Sequence, residues 1–183
     1  IPSIVVWVPY NEGWGEQKAF KTNASLSWLM EYDKTRLVDG PSGWTDYGVG
    51  HTKDMHNYPG PGMFDVMPNR ISVLGEFGGL GLAVPGHVWA DKGWGYVSDN
   101  TVEASFERYT SLMKRLSRLA SQGLAASVYT QTTDVEVEIN GLLTYDRKVD
   151  KYGADNLRKL HAKVYEGATK SYVLKAAQPI AQE

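Results

Sequence analysis

Apolar and polar residues follow one another along the chain in blocks that predict strands and helices in series. Short strand-like runs occupy residues 4–8, 36–38, 54–58, 71–74 and 124–129. Apolar residues at helical spacing predict helices over residues 16–32, 101–122 and 155–166. Strands that alternate with helices favour parallel pairing through βα units. The pattern therefore predicts an α/β fold, with the continuous apolar run at residues 5–8 covered on both faces.

Two of the predicted strands lead into a glutamate that stands in a glycine-rich stretch. The stretch VVWVPYNEGWG passes from an apolar strand into Asn11 and Glu12. In RISVLGEFGG, the apolar run is likewise followed by Glu76. The carboxyl ends of parallel strands lie at one edge of a sheet or barrel, where (β/α)8 barrels and open α/β sheets hold their sites. The two glutamates are therefore predicted to face one pocket.

Composition and charge limit the partners that the chain is expected to have. The chain has 183 residues with 19 basic and 21 acidic side chains, and it contains no cysteine. No basic run suggests a nucleic acid or an anionic membrane as a partner, and no apolar stretch approaches the roughly 20 residues that span a bilayer. The absence of cysteine excludes thiol catalysis and leaves the cellular compartment unassigned. We expect an uncharged or weakly charged ligand.

A pair of carboxylates is the chemistry that glycoside hydrolysis needs. One protonates the leaving oxygen, while the other attacks the anomeric carbon or activates water. The residues alone leave a simpler alternative, in which Glu12 is a charge at a helix start and Glu76 a charge at a strand end. A third reading is a non-catalytic carbohydrate-binding fragment.

A metal-dependent hydrolase is a further alternative from the residues. His51, Asp54 and His56 form an H-x-x-D-x-H run, and imidazole with carboxylate is a suitable ligand set for zinc or manganese. The run gives no role to either glutamate. We therefore expect neither a metal nor another cofactor.

Several loops contain residues suited to binding a sugar. Tryptophans in loops offer flat faces to sugar rings, with packing beneath the loop as the alternative: Trp14, Trp44, Trp89 and Trp94. Asp39, Gln131 and Asp134 occupy strand ends and are candidates to bind hydroxyl groups, although Asp39 is equally suited to capping its loop. Trp7 and Trp28 are expected in the core.

Five stretches of the chain resemble the catalytic barrel of glycoside hydrolase family 2, which includes β-galactosidases, β-glucuronidases and β-mannosidases. They are VVWVPYNEGWG, RLVDGPSGWTDYGVG, DMHNYPGPGM, ISVLGEFGGLGL and GLAASVYTQTTDVE. They follow the order expected of the last five strands. Because a whole barrel needs roughly 250 residues, the resemblance implies that residues 1–167 are the C-terminal half of a (β/α)8 TIM barrel. Residues 168–183 are expected to be a linker or terminal tail.

The resemblance also implies roles for individual residues. Glu12 is the expected general acid/base, Glu76 the nucleophile and Asn11 the partner of the sugar 2-hydroxyl. Tyr58 is expected to hydrogen-bond the nucleophile, and His56 to contact substrate hydroxyls or to serve the structure. The implied reaction retains the anomeric configuration, and related enzymes place the two carboxyl groups about 5 to 5.5 Å apart.

The resemblance further implies what completes the protein. The first three strands of the barrel and the N-terminal β-sandwich domains of the family are missing, so the expected partners are those segments or a second copy paired at the open sheet edges. No loop cluster of Arg and Lys is present to select a uronic acid. A neutral sugar is therefore expected, with a β-galactoside as the leading substrate.

Overall fold

A computed structural model describes residues 1–176, which form a mixed α/β fold. The helices are α1 (Ala19–Tyr32), α2 (Val102–Gln122) and α3 (Ala154–Ala176). The strands are β1 (Val6–Trp7), β2 (Leu37–Val38), β3 (Thr52–Asn57), β4 (Ile71–Gly78), β5 (Leu80–Gly81), β6 (Val97–Ser98) and β7 (Ala126–Thr130). Helix α3 continues past its predicted end at residue 166, and residues 177–183 of the predicted tail lie outside the described part. The short strands β5 and β6 were not predicted.

All the paired strands are parallel, in three small sheets ordered β1-β2, β3-β4-β7 and β5-β6. A parallel bridge between Asp39 and Thr52 connects β2 to β3. The backbone N–H of His51 also donates to the carbonyl of Val38 at 2.8 Å. The described residues form no closed barrel, so the (β/α)8 architecture stays a prediction.

The core lies between the sheet β3-β4-β7 and the helices α2 and α3. Helix α2 begins at Thr101, whose side chain accepts a hydrogen bond from the N–H of Ala104, and it ends at Gly123 in the left-handed region (φ 118°). Its apolar face is buried, as the helical spacing predicts: Tyr109, Leu112, Met113 and Leu116. Leu74 and Phe77 of β4 pack against this face. The opposite face of the sheet therefore remains available for a site.

Strand β4 contains a bulge at Gly75. In the register with β3, Met55 pairs with Leu74 and His56 with Glu76, so that Gly75 has no partner. Side chains alternate between the faces of a regular strand, and an extra residue reverses that alternation. Leu74 and Glu76, two residues apart, consequently point to opposite faces. The bulge thus removes Glu76 from the core and directs it to the polar side.

The prediction that the first strand is covered on both faces is wrong for the described residues. Val5 is 67% exposed and Val8 is 55% exposed, because nothing in residues 1–169 packs over them. Trp28, predicted in the core, is exposed on α1 and stacks against Tyr32. At the other end of the array, Val128 of β7 is 57% exposed. The residues flanking β1 and the strand β7 thus present apolar side chains to solvent.

No helix in residues 1–176 has the length and apolar character to cross a bilayer.

Candidate active site

Glu12, in the loop after β1, and Glu76, near the end of β4, lie close together on either side of His56. The His56 Nδ1 atom lies 2.8 Å from Glu12 Oε1 and 3.4 Å from Glu76 Oε2. One carboxylate oxygen of each glutamate and a ring nitrogen of His56 all lie within 4.8 Å of one another. Retaining glycosidases place their carboxyl groups about 5 to 5.5 Å apart and inverting ones about 6.5 to 9.5 Å. The two carboxylates therefore lie close enough to act on one bound group.

Glu12 is held by the loop that follows β2. Its backbone adopts a left-handed conformation (φ 52°), which is uncommon for a residue with a side chain. Its N–H donates to the carbonyl of Ser42 at 3.0 Å. The Ser42 hydroxyl lies 3.3 Å from Asn11 Oδ1 and donates to it. At Gly43 a Cβ atom would come within 3.3 Å of Glu12 Cα, so glycine permits the close approach. The Asn-Glu pair is thus fixed by contacts between two loops.

Glu76 accepts a hydrogen bond from Tyr58 at its Oε2 atom. The Tyr58 hydroxyl lies 2.5 Å from this oxygen and 2.9 Å from Thr130 Oγ1. Burial and the hydrogen bond to Glu76 raise the pKa of Tyr58 well above its ordinary value. The phenol therefore stays protonated and donates its hydrogen bond to Glu76.

His56 is surrounded by carboxylates and is only 3% exposed at its side chain. Its Nε2 atom lies 3.4 Å from Asp54 Oδ2, on the side away from the two glutamates. Burial lowers the pKa of His56, but the hydrogen bonds to Asp54 and Glu12 and the charge of Glu76 outweigh it and raise the pKa to about 9. The imidazolium thus holds the glutamates in place. Because both nitrogens face carboxylates, the geometry favours this role over the predicted contact with sugar hydroxyls.

A buried row of polar side chains lies behind His56: Asp39, Thr52 and Asp54. Thr52 donates its hydroxyl proton to Asp39, and the N–H of Gly75 donates to Asp54 Oδ1 at 2.5 Å. Burial, together with the neighbouring Asp54, raises the pKa of Asp39 to about 7. Asp39 is 4% exposed and supports the site from within, while its role in binding hydroxyls stays a prediction.

Aromatic side chains flank the carboxylate pair on both sides. Trp44 is exposed directly after Gly43, on the side of Glu12. Near Glu76, the ring of Tyr96 stacks on Tyr58 with centroids 3.7 Å apart, and the edge of Trp94 meets Tyr96 at 5.6 Å. Tyr96 was not singled out from the sequence, although it lies in a Gly-Trp-Gly-Tyr loop of the expected composition.

Trp89 and Gln131 make contacts that differ from the predicted ones. Trp89 is exposed and packs edge-on against Tyr145, with centroids 5.5 Å apart, and none of its described contacts reaches the glutamates. The Gln131 amide donates to Asn140 Oδ1 at 2.8 Å, and the Asn140 amide donates to Glu138 Oε1 at 3.0 Å. Gln131 therefore fixes a loop, and through it Glu138, which the sequence did not single out.

The structure does not assemble the predicted metal ligands His51, Asp54 and His56. His51 Nδ1 accepts a hydrogen bond from the N–H of Val38 at 2.9 Å, within the backbone ladder. Glu12, His56 and Glu76 do converge closely enough to hold an ion. The Nδ1 atom of His56, however, is already hydrogen-bonded to Glu12. The donor set therefore fits a charge network better than a metal centre.

No protein-family model matches the chain, and no curated protein matches it. The resemblance to glycoside hydrolase family 2 therefore stays a prediction based on the five stretches quoted above.

Proposed function

We propose that this chain carries the catalytic residues of a retaining exo-β-glycosidase with β-galactosidase-like activity. The observation that supports the proposal is the approach of Glu12 and Glu76, whose carboxylate oxygens lie within 4.8 Å at the ends of two parallel strands. Retaining glycosidases hold their two carboxyl groups about 5 to 5.5 Å apart, and the close approach of these oxygens agrees with that spacing.

In the proposed reaction, Glu76 attacks the anomeric carbon and Glu12 gives its proton to the departing glycosidic oxygen. A glycosyl ester on Glu76 results, and the alcohol leaves. Glu12 then takes a proton from water, whose oxygen attacks the same carbon and displaces Glu76 with retention of configuration. Tyr58 occupies one oxygen of Glu76 and leaves the other for attack. Asn11, next to Glu12, is assigned to the sugar 2-hydroxyl by the resemblance.

The test is hydrolysis of aryl β-glycosides by this chain and by the full-length protein that contains it. Glu76→Gln and Glu12→Gln are each expected to reduce turnover by about 10³-fold or more, because each removes a group that reacts. Glu136→Gln changes an exposed carboxylate and is the matched control. Normal turnover after both active-site substitutions would refute the mechanism.

Chemical rescue assigns the two roles separately. Azide added to Glu76→Ala can attack only the face that the nucleophile used, and it yields the α-glycosyl azide. Azide added to Glu12→Ala attacks the glycosyl ester and yields the β-glycosyl azide. The opposite pair of products would exchange the two assignments.

A second candidate, a fragment without activity of its own, is favoured by the exposure of Val5 and Val128 on the outer strands. We propose that further strands of the barrel, preceded by β-sandwich domains, or a second copy of the chain cover them. Turnover by the full-length protein together with a silent chain would support this version, and equal turnover by both would oppose it.

A further inference from the structure

We propose that Trp94 and Tyr96, here called the aromatic wall, bind the terminal sugar ring, and that Glu138 beside them makes the site select neutral sugars over uronic acids. This inference rests on the proposed function and adds the surface that recognises the substrate.

The aromatic wall is built onto the catalytic residues. The rings of Tyr96 and Tyr58 are parallel to within 1°, with centroids 3.7 Å apart, and the Tyr58 hydroxyl binds Glu76. Trp94 meets Tyr96 at an interplanar angle of 67°. Both Trp94 and Tyr96 nevertheless stay more than 40% exposed, at 44% and 48%. Flat aromatic surfaces left open beside reacting carboxylates suit the C–H faces of a pyranose.

Glu138 is fixed next to this wall by the backbone. Trp94 and Glu138 form a parallel bridge, flanked by the hydrogen bonds from Trp94 N–H to the Val137 carbonyl (2.8 Å) and from Ile139 N–H to the Trp94 carbonyl (2.9 Å). Its Oε1 atom accepts from Asn140, which is fully buried and held in turn by Gln131. A carboxylate that is positioned so firmly but only half-buried is suited to accept hydrogen bonds from a ligand.

The charges of all three carboxylates of the site act on Tyr96. Burial, followed by the charges of Glu12, Glu76 and Glu138, raises its pKa above the ordinary value. Within residues 1–169, no ion pair neutralises Glu138. A uronate placed on the wall would bring a further negative charge into this field, whereas a neutral sugar offers hydroxyl donors.

The experiment compares two non-hydrolysable ligands, phenyl 1-thio-β-galactoside and the corresponding galacturonide, by titration calorimetry on the full-length protein. Tyr96→Ala and Trp94→Ala are each expected to raise the Kd for the galactoside about 3- to 10-fold, since each removes a stacking surface. Tyr96→Phe keeps the ring and is expected to change this Kd less than twofold. Glu138→Gln keeps the oxygen that Asn140 binds and is expected to improve galacturonide binding about fivefold relative to the galactoside.

Trp28→Ala and Glu136→Gln are the matched controls, because each removes an exposed ring or charge outside the wall. Unchanged Kd values in Tyr96→Ala and Trp94→Ala, no binding of either ligand by the unsubstituted protein, or an unchanged preference in Glu138→Gln would each overturn the inference. The proposed function is judged separately, by loss of turnover in Glu76→Gln. Turnover that depends on Glu76 while the wall variants bind normally would refute the wall alone.

Discussion

His56 carries a positive charge among Glu12, Glu76 and Asp54, and its titration is therefore coupled to the stability of the fold. Its pKa in the folded chain is about 9, against an ordinary value of 6.5. Between these two values the folded state binds more protons than the unfolded state, so stability falls as the pH rises. The contribution is complete below about pH 6.5 and is lost as the pH passes 9.

We accordingly expect His56→Gln to lower the free energy of unfolding at pH 6 by on the order of 2 kcal/mol, because it leaves the carboxylates without their cation. The substitution should also make the free energy of unfolding fall less steeply between pH 6.5 and 9. Urea denaturation at pH 6, 7.5 and 9 measures both effects. A variant that loses stability with pH as steeply as the unsubstituted chain would contradict the assigned charge of His56.

Among single residues, the sequence identified the site residues that lie at the ends of predicted strands. It missed those that are positioned by pairing with a separate loop. Glu12 and Glu76 follow predicted strands, Tyr58 ends one, and the structure brings the three together. Asp39 also follows a strand, yet it is buried because β3 pairs directly beyond it. No local pattern distinguishes an inward strand-end carboxylate from one that faces solvent. The position of Glu138 depends on its backbone pairing with Trp94, which lies 44 positions earlier in the chain.

At the level of elements, the loop between β7 and α3 is anchored by a buried ion pair. The Lys151 ammonium is fully buried, and it donates to Asp134 Oδ1 at 2.7 Å and to the carbonyls of Leu82 and Ile139 at 2.9 and 3.0 Å. Burial lowers the pKa of Lys151, against the opposing effect of Asp134. This pair joins the loop that carries Glu138 to the segment after β5.

We expect Lys151→Met to destabilise the chain by about 3 to 5 kcal/mol, because it leaves Asp134 buried without a counter-charge. Adding Asp134→Asn should recover part of the loss, since the amide oxygen still accepts the hydrogen bond from Gly141 N–H at 2.7 Å. Lys148→Met removes an exposed ammonium and should stay within about 0.5 kcal/mol. Thermal unfolding of the four proteins measures these differences, and a Lys151→Met chain as stable as Lys148→Met would contradict this account.

The helices were predictable from spacing, whereas the short strands and the bulge were not. Helix α2 has a strong apolar stripe, an N-cap threonine and a C-cap glycine, all visible in the sequence. Strands β5 and β6 have two residues each, too few to show any alternation. The bulge at Gly75 requires knowledge of the register with β3, which is a property of two segments rather than one.

For the molecule as a whole, apolar side chains are exposed at both outer strands, at Val5 beside β1 and at Val128 in β7. Such surfaces favour pairing with further strands or with a second chain. We expect the 20.3 kDa chain on its own to associate in sedimentation equilibrium. Val5→Lys combined with Val128→Lys should shift it towards the monomer, because lysine disfavours burial at a sheet edge.

The control for this experiment is Val102→Lys, which changes an exposed valine on α2, away from both strands. It should leave association unchanged. A chain that sediments as a monomer at every concentration, or a double variant that associates as strongly as the unsubstituted chain, would show that these strands are not the contact surface.

The bulge at Gly75 decides which side of the sheet Glu76 faces. Strand β4 carries Leu74 and Phe77 on its apolar side and Glu76 on its polar side only because one residue between them is left unpaired. If Gly75 were paired as in a regular strand, strict alternation from Leu74 onwards would exchange the sides of Glu76 and Phe77. The carboxylate would then lie among the leucines of α2, and the phenyl ring would lie beside Glu12. The side of the sheet that Glu76 faces thus depends on the number of paired residues before it as much as on the amino acids themselves.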